Sequence, residues 1–232
     1  MCGFPRRFDA SYREAYKKVQ QGLIGTPTII RSQTCDKHDV SGFFVQYSAM
    51  SGGIFVDMAI HDIDLSLWFF GSDVQPKCVT AHGVAALHPE LLQTNDRDNA
   101  VGIVEYWSGQ IAYFYVSRMM AHGSEDATEF IGTEGKVSVN VHPAKDLVTL
   151  YHAGGVTREA ADTFWDRFQH AFNAEISEFA DICMGEKEAP MRLETAVKAL
   201  SIAGALQESL TSGEQIHFDR DGRRAATRMN KL

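Results

Sequence analysis

The order of apolar and polar positions divides the chain into a helical beginning, a β-rich middle and a helical end. Apolar residues recur at helical spacing over 9–21, behind the capping candidate Asp9, which predicts a first helix. The β-branched residues 28–30 predict a short strand, and the polar stretch 31–41 predicts a loop. The run 52–70 is long enough for about five helical turns and ends at Gly71, a residue typical of helix C-termini, so we expect a buried helix there.

The middle of the chain is typical of a meandering sheet. Short β-rich runs alternate with turn residues, and the compact connections 107–110 and 132–135 favour antiparallel hairpins. Apolar residues then recur every three or four positions over 164–179 and 193–206, which predicts two helices across one face of the sheet. The predicted strands are 77–87, 99–107, 110–118, 126–132, 135–141 and 147–151.

The second face of the sheet carries apolar residues as well. Both sets of alternating positions in the segment 111–116 are apolar, so one apolar face remains after the helices cover the other. We therefore expect a homo-oligomer, a dimer or tetramer, that forms through the open face of the sheet.

Composition and charge narrow the range of partners. The chain has 232 residues, with 22 basic and 30 acidic side chains and a net charge of -8, and this surface repels nucleic acid and anionic lipid. The four cysteines form no Cys-x-x-Cys pair, and no apolar stretch has the length of a membrane span or the form of a signal peptide. These features favour a cytoplasmic protein with no nucleic-acid or membrane partner.

The last residues differ from the rest of the chain. Basic side chains gather in an otherwise acidic sequence, and chain ends of this kind are usually solvated or frayed. We predict a domain over 1–218 and a basic tail over 219–232, whose basic residues include Arg223, Arg224, Arg228 and Lys231.

Common cofactor motifs are absent from the sequence. It contains no Gly-x-Gly-x-x-Gly turn between a strand and a helix, no phosphate-binding loop and no Gly-x-Ser-x-Gly elbow. We therefore expect no cofactor to be bound by these residues alone.

Asp57 and His61 are the candidate chemical groups. At a spacing of four on a helix they share one face, and Asp64 follows on nearly the same face. The aspartate could fix the tautomer of the histidine, which would then exchange a proton with a bound hydroxyl. The alternatives are a structural core histidine and a metal site, but the other histidines fall mostly in loops or strands, so we expect no metal.

Several segments together resemble a known family. The opening 3–9, the motif Gly-Gly-x-x-x-Asp-x-x-x-His over 52–61, the turn 123–135 and the pattern 168–179 resemble the C-terminal half of Gfo/Idh/MocA oxidoreductases. Among these, the inositol 2-dehydrogenases are the most similar. The resemblance implies an α/β (α+β) domain with an open, largely antiparallel sheet, helices on one face and an oligomer contact on the other.

The resemblance also implies roles for individual residues. The family's aspartate and histidine, which act at the substrate carbinol during hydride exchange with NAD(P), map onto Asp57 and His61. On this resemblance, residue 1 falls where the family's second domain would begin, so we expect no counterpart here of the family's nucleotide-binding domain or of its Glu-Lys-Pro lysine. Lys187, in a superficially similar Glu-Lys sequence, lies between two predicted helices and is no substitute.

Further residues are candidates for contact with a substrate. Arg7 and Arg118 could place positive charge beside an oxygenated molecule, with ion pairing to acidic residues as the alternative. His38 lies after the first strand, where family members often contact substrate, and Asp64 completes the predicted substrate-binding set.

Three functions remain open on the sequence alone. The first is a cofactor-independent acid/base enzyme of the isomerase, dehydratase, lyase or cyclase type, in which His61 and Asp57 act on a small oxygenated molecule. The second is the substrate-binding and oligomerisation half of an NAD(P)-dependent oxidoreductase that works with a separate Rossmann-domain protein. The third is an inactive, truncated dehydrogenase.

Overall fold

The computed structural model describes residues 1–225, which fold around one open seven-stranded sheet. The strands are β1 (Pro27–Lys37), β2 (Pro76–Val84), β3 (Asn99–Tyr106), β4 (Ile111–Met120), β5 (Glu125–Gly132), β6 (Lys136–Val139), β7 (Leu150–His152), β8 (Gly155–Thr157) and β9 (Ile216–His217). The order across the sheet is β6-β5-β1-β4-β3-β2-β9, and β7 and β8 form a separate hairpin. Only the β1–β4 pair is parallel among the described strands, so the expected open, largely antiparallel sheet is confirmed.

Helices cover one face of this sheet. They are α1 (Ala10–Gln20), α2 (Phe43–Ser51), α3 (Ile60–Phe70), α4 (Phe164–Cys183) and α5 (Leu193–Ser212), with 3-10 turns at Pro5–Phe8 and Pro89–Thr94. α1 begins at Ala10 because the Asp9 carboxylate accepts hydrogen bonds from the backbone N–H groups of Ser11 and Tyr12. α4 begins with a capping box between Thr163 and Asp166.

The core lies between the sheet and the helices α3 and α5. On β4, Ala112, Phe114 and Val116 are fully buried, whereas the alternate residues Tyr113 and Tyr115 are only half-buried. This period of two places one side of each strand in the core and leaves the other side on the open face.

β1 is longer than its apolar residues predict. The segment predicted as a loop from residue 31 continues as strand to Lys37 because it pairs with β4 on one side and β5 on the other. Its inward polar residues Ser32 and Thr34 donate hydrogen bonds to the buried carboxylate of Asp62, which satisfies them inside the core. The unpredicted helix α2 begins at Phe43, just after the end of the predicted loop.

The predicted single helix over 52–70 is wrong in its first turns. The chain leaves α2 through Gly53, whose φ of 93° favours glycine and where a Cβ atom would have to displace the end of the Gln207 side chain. A π-helical turn, Phe55–Ala59, then precedes α3. The backbone N–H of Ile54 donates to the buried carboxylate of Asp96, which holds the start of this turn in place.

The first residues of the predicted basic tail pack against the domain. Phe218 and Arg224 form an isolated β-bridge, and the indole N–H of Trp107 donates to the carbonyl of Asp219. The Arg224 guanidinium also pairs with Glu208. The tail residues Arg228 and Lys231 lie outside the described residues.

Within residues 1–225, no single helix is long and apolar enough to cross a membrane, and the pair Phe43–Ser51 and Phe55–Phe70 reaches that length only across a bend of 81°. The same part of the chain holds no group of three or more His, Cys, Asp or Glu side chains arranged to bind a metal ion.

Candidate functional site

Two adjoining cavities lie where β1 and β4 end, next to the π-helical turn and the start of α4. The first, which we call the small cavity, has a volume of about 240 Å³. The second, which we call the aromatic cavity, has a volume of about 440 Å³. The small cavity is lined by Pro5, Arg6, Thr34, Asp36, Asp57, Met58, His61, Ser124, Asp126, Phe164 and Phe168. Both predicted catalytic residues therefore reach the same cavity wall.

His61 lies in the first turn of α3 with its imidazole largely desolvated. The pKa of His61 is lowered to about 4, first by burial and next by the nearby positive charge of Arg6, whereas Asp62 acts in the opposite direction. The ring atom Nδ1 is buried and has no hydrogen-bond partner among the described residues. The imidazole is consequently neutral at physiological pH, and one of its ring nitrogens lacks the partner that a buried polar atom normally has.

Asp57 does not orient His61, contrary to the prediction from their spacing. Its carboxylate instead accepts a hydrogen bond from the guanidinium of Arg118. The i,i+4 argument assumes α-helical turns, but Asp57 lies in the wider i→i+5 turn that precedes α3, which rotates it away from the α-helical position. The two residues share a cavity wall without bonding to each other.

Arg118, near the end of β4, links several parts of the site. Its guanidinium donates to Asp57 and, at 2.9 Å, to the fully buried Asp96. It also lies 4.1 Å from the ring centroid of Phe44, in cation–π contact. Arg118 lines the aromatic cavity, yet its charge is already balanced by two carboxylates. The arrangement holds Asp57 at the boundary between the cavities.

Arg7 and Asp64 are not brought to the small cavity. Their side chains form a buried two-bond ion pair, at 2.8 and 2.9 Å, between the first 3-10 turn and α3. The Arg7 guanidinium also lies 5.1 Å from the ring centroid of Trp68. Neither residue lines either of the two cavities, so their placement supports the ion-pair alternative over substrate contact.

His38 is likewise absent from both cavity linings. It follows β1, as predicted, but its Nε2 atom lies 3.2 Å from Nε2 of His88, and Nδ1 of His88 lies 3.4 Å from Glu90. The structure therefore joins His38 to a neighbouring loop and does not bring it to Asp57 and His61.

A buried polar network missed by the sequence reasoning forms the floor of the small cavity. The Arg6 guanidinium donates to Asp62 at 2.6 Å, and both side chains are almost completely buried. Beside them, burial raises the pKa of Asp126 to about 6, although the charges of Arg167 and Arg6 lower it. The polar residues at inward positions of β1 were the signal in the sequence that could have indicated this network. They were not recognised as inward, because the β-branched residues at the start of β1 predicted only a short strand.

Asp36 was also missed. It lies near the end of β1 and lines both cavities. The pKa of the Asp36 carboxyl is raised, chiefly by burial. The negative charge of Asp57 also raises it, whereas the positive charge of Arg118 lowers it. Because the sequence predicted a loop here, nothing indicated that strand pairing would fix this carboxylate between the two cavities.

The open, largely antiparallel sheet, with helices on one face and two cavities at the ends of β1 and β4, is the architecture of one protein family. The family model described as the GFO/IDH/MocA C-terminal domain matches residues 12–138, more than half of the chain, and the chain belongs to that family.

Individual relatives agree with this assignment. The chain is 30% identical over 218 residues to the scyllo-inositol 2-dehydrogenase (NAD(+)) of Bacillus subtilis, covering 94% of this chain and 62% of the relative. It is 32% identical to the inositol 2-dehydrogenase of Rhizobium meliloti, covering 93% of this chain and 64% of the relative. The chain thus spans less than two thirds of the length of these relatives.

A solved structure shows the same similarity in three dimensions. It is the scyllo-inositol dehydrogenase from Lactobacillus casei with bound NAD(H) and scyllo-inositol, which superimposes with a TM-score of 0.87 at 32% sequence identity. The match covers 94% of this chain and 64% of the other.

Proposed function

We propose that this chain provides the polyol-binding, proton-transfer half of an NAD(H)-dependent dehydrogenase that acts on inositol-like substrates. The observation that carries the proposal is the neutral imidazole of His61 on the wall of a polar cavity, with one buried ring nitrogen that has no partner among residues 1–225. The family membership and the inositol dehydrogenases among its relatives support the substrate class.

The small cavity suits a ring that carries several hydroxyl groups. Its volume of about 240 Å³ is modest, and its wall offers both hydrogen-bond acceptors and donors. Asp36 and Asp57 can accept from hydroxyl groups, while Arg6 and Ser124 can donate to them. A polyol that pairs with these groups replaces the water it displaces without leaving charges unpaired.

His61 would act as the proton acceptor. Its low pKa keeps the imidazole neutral, so a ring nitrogen can take the proton from the hydroxyl of the carbon that is oxidised. The positive charge of Arg6, which also lines the cavity, favours the oxyanion that develops there. Asp57, held by Arg118, would accept a hydrogen bond from the substrate and fix the orientation of the ring.

The described residues do not fit a dinucleotide by themselves. Residues 1–225 contain no βαβ unit with a glycine-rich turn, because the single parallel pair, β1–β4, joins strands far apart in sequence. We therefore assign no nicotinamide contact to these residues. NAD(H) would be held by a nucleotide-binding domain, whether on the same polypeptide or on a separate chain.

The cofactor-independent isomerase, lyase or cyclase reaction predicted first from the sequence has less support. The relatives described above are named as dehydrogenases, and His61 can serve proton transfer equally well in that setting. The substrate-binding half of an oxidoreductase is therefore the function we put forward.

The open face of the sheet remains a proposed contact between copies of the chain. Ile103 and Ile111 are 45% and 38% exposed there, next to the half-buried Tyr113 and Tyr115. Covering these apolar side chains favours association. Light scattering of the purified chain tests this: a dimer or tetramer is expected, and a monomer at micromolar concentration contradicts it.

Calorimetric titration of the full chain with myo-inositol and scyllo-inositol tests the function. We expect saturable binding that becomes about tenfold weaker in Asp57→Asn and in His61→Gln, because each loses one hydrogen bond worth about 1.4 kcal/mol. Tyr151→Ser, on the exposed β7–β8 hairpin, is the matched control and should bind as the parent does. Absence of saturable binding to either polyol, or binding by both site variants that is as tight as that of the parent, overturns the proposal.

A further inference from the structure

The aromatic cavity is larger than the small cavity and has a different chemistry. α2, which the sequence did not predict, contributes Phe43, Phe44 and Tyr47, and the start of α4 contributes Phe164 and Trp165. The Phe43 and Tyr47 rings stack with an interplanar angle of 7°, and Phe164 lies 4.9 Å from Trp165. Two pairs of aromatic rings therefore line a single recess.

Several of these rings are open to solvent. Phe43 is 68% exposed and Trp165 is 62% exposed, although both line the cavity. Phe44 differs, because the guanidinium of Arg118 lies over its ring. Large exposed rings grouped in a recess are typical of a surface that is covered when a ligand binds.

The aromatic cavity is continuous with the proposed polyol site. Asp36, Asp57 and Phe164 line both cavities, so a molecule held in the small cavity can extend into the aromatic cavity past these three side chains. With a volume of about 440 Å³ against about 240 Å³, the aromatic cavity has room for a second ring at least as large as the first.

The polar groups among the aromatic rings identify the kind of second ring. Asp36 lies on the wall, and an ion pair between Lys37 and Asp162 lies at the rim. A purely apolar substituent would desolvate these groups at a cost and offer them no new hydrogen bond in return. A sugar ring has C–H faces that pack on aromatic rings and hydroxyl groups that pair with carboxylates and ammonium groups.

We propose that the aromatic cavity is a second sugar subsite and that the preferred substrate is a glycosylated cyclitol, with the cyclitol ring in the small cavity. This inference rests on the proposed function and adds the substrate class. It gives Phe43 and Trp165 the role of specificity-determining residues that contact the second ring.

The test compares the affinity of the full chain for myo-inositol with its affinity for galactosyl-myo-inositol and the glucosyl-myo-inositol regioisomers. We expect at least one glycoside to bind about tenfold more tightly than myo-inositol, the fold-change expected when two aromatic faces are covered. The ratio of the two affinities should fall towards one in Phe43→Ala and in Trp165→Ala. Both residues are exposed, so the fold should tolerate these changes, and circular dichroism checks it.

A matched control variant and the outcomes that would contradict the proposal complete the experiment. Tyr151→Ala removes an aromatic ring that is 75% exposed but lies outside the cavity, and it should keep the parent ratio. If myo-inositol binds and no glycoside binds more tightly, the second subsite is wrong while the proposed function stands. If neither kind of ligand binds, the proposed function fails and this inference fails with it. Displacement of a bound glycoside by NAD(H) in the parent but not in Trp165→Ala would assign the cavity to the cofactor and overturn the subsite.

Discussion

Replacing His61 by glutamine removes a proton-binding group whose pKa the fold lowers from 6.5 to about 4. Between these two values the unfolded chain carries a proton on His61 that the folded chain does not carry. The free energy of unfolding of the parent protein therefore falls as the pH drops through this window, and this loss is absent in His61→Gln.

The size of the effect follows from the shift in pKa. Each pKa unit corresponds to 1.36 kcal/mol, so a shift from 6.5 to about 4 is worth about 3 kcal/mol. We expect the unfolding free energy of His61→Gln, relative to that of the parent, to increase by about 3 kcal/mol between pH 7 and pH 4. The stabilisation by neutral His61 is complete above pH 6.5 and lost as the pH approaches 4.

Asp126 provides a control of opposite sign. The fold raises its pKa from 3.8 to about 6, so the folded chain takes up a proton in that window before the unfolded chain does. The parent gains stability from this group as the pH falls from 6 towards 3.8, and Asp126→Asn lacks that gain. The unfolding free energy of Asp126→Asn should therefore decrease relative to the parent over the same range.

Urea unfolding followed by tryptophan fluorescence and circular dichroism, at half-unit steps from pH 4 to pH 7, measures these differences. Comparing each variant with the parent at every pH cancels the contributions of other titrating groups. A difference for His61→Gln that stays constant with pH would refute the claim that the imidazole is desolvated. If the difference in unfolding free energy from the parent changed with pH in the same direction for both variants, the claim that His61 and Asp126 are both buried would be refuted.

Other substitutions test the contacts that hold the site. Arg118→Leu leaves two carboxylates unpaired, and we expect it to lower the free energy of unfolding by about 3–5 kcal/mol, measured by urea unfolding. Tyr106→Phe removes the 2.6 Å hydrogen bond between Tyr106 and Ser66 in the core, which should cost about 1–2 kcal/mol in the same assay. Asp9→Ala removes the cap of α1 and should cost about 1 kcal/mol, and an unchanged midpoint would contradict that role.

The order of apolar and polar residues predicted those strands and helices in which apolar side chains alternate or recur at regular spacing. The strands over 99–106 and 111–120 match their predicted positions closely, because each has one buried and one open side. The helix α5 lies where its apolar repeat predicted a helix, but Leu193, Val197 and Leu200 of that repeat are exposed, so the repeat did not identify the buried face. The two strands show their burial directly in the alternation of residue types, so a single sequence is enough to place them.

Elements held by distant partners were not predictable in this way. The polar second half of β1 is a strand because two neighbouring strands pair with it and because Asp62 accepts hydrogen bonds from its inward hydroxyl groups. The same limit applies to the site. Asp57 and His61 were identified as neighbours, but the π-helical turn and the competing guanidinium of Arg118 decide that they do not bond to each other.

The interior position of β1 in the sheet links the two cavities to folding of the whole domain. β1 lies near the start of the chain but pairs with β4 and β5, which come about eighty to one hundred residues later, so it is enclosed only after more than half of the chain has been made. Its last residues, from Thr34 to Lys37, reach the two cavities. A partly folded chain thus has no finished cavity, and polyols should act as selective stabilisers of the completed fold, raising the thermal midpoint without rescuing intermediates.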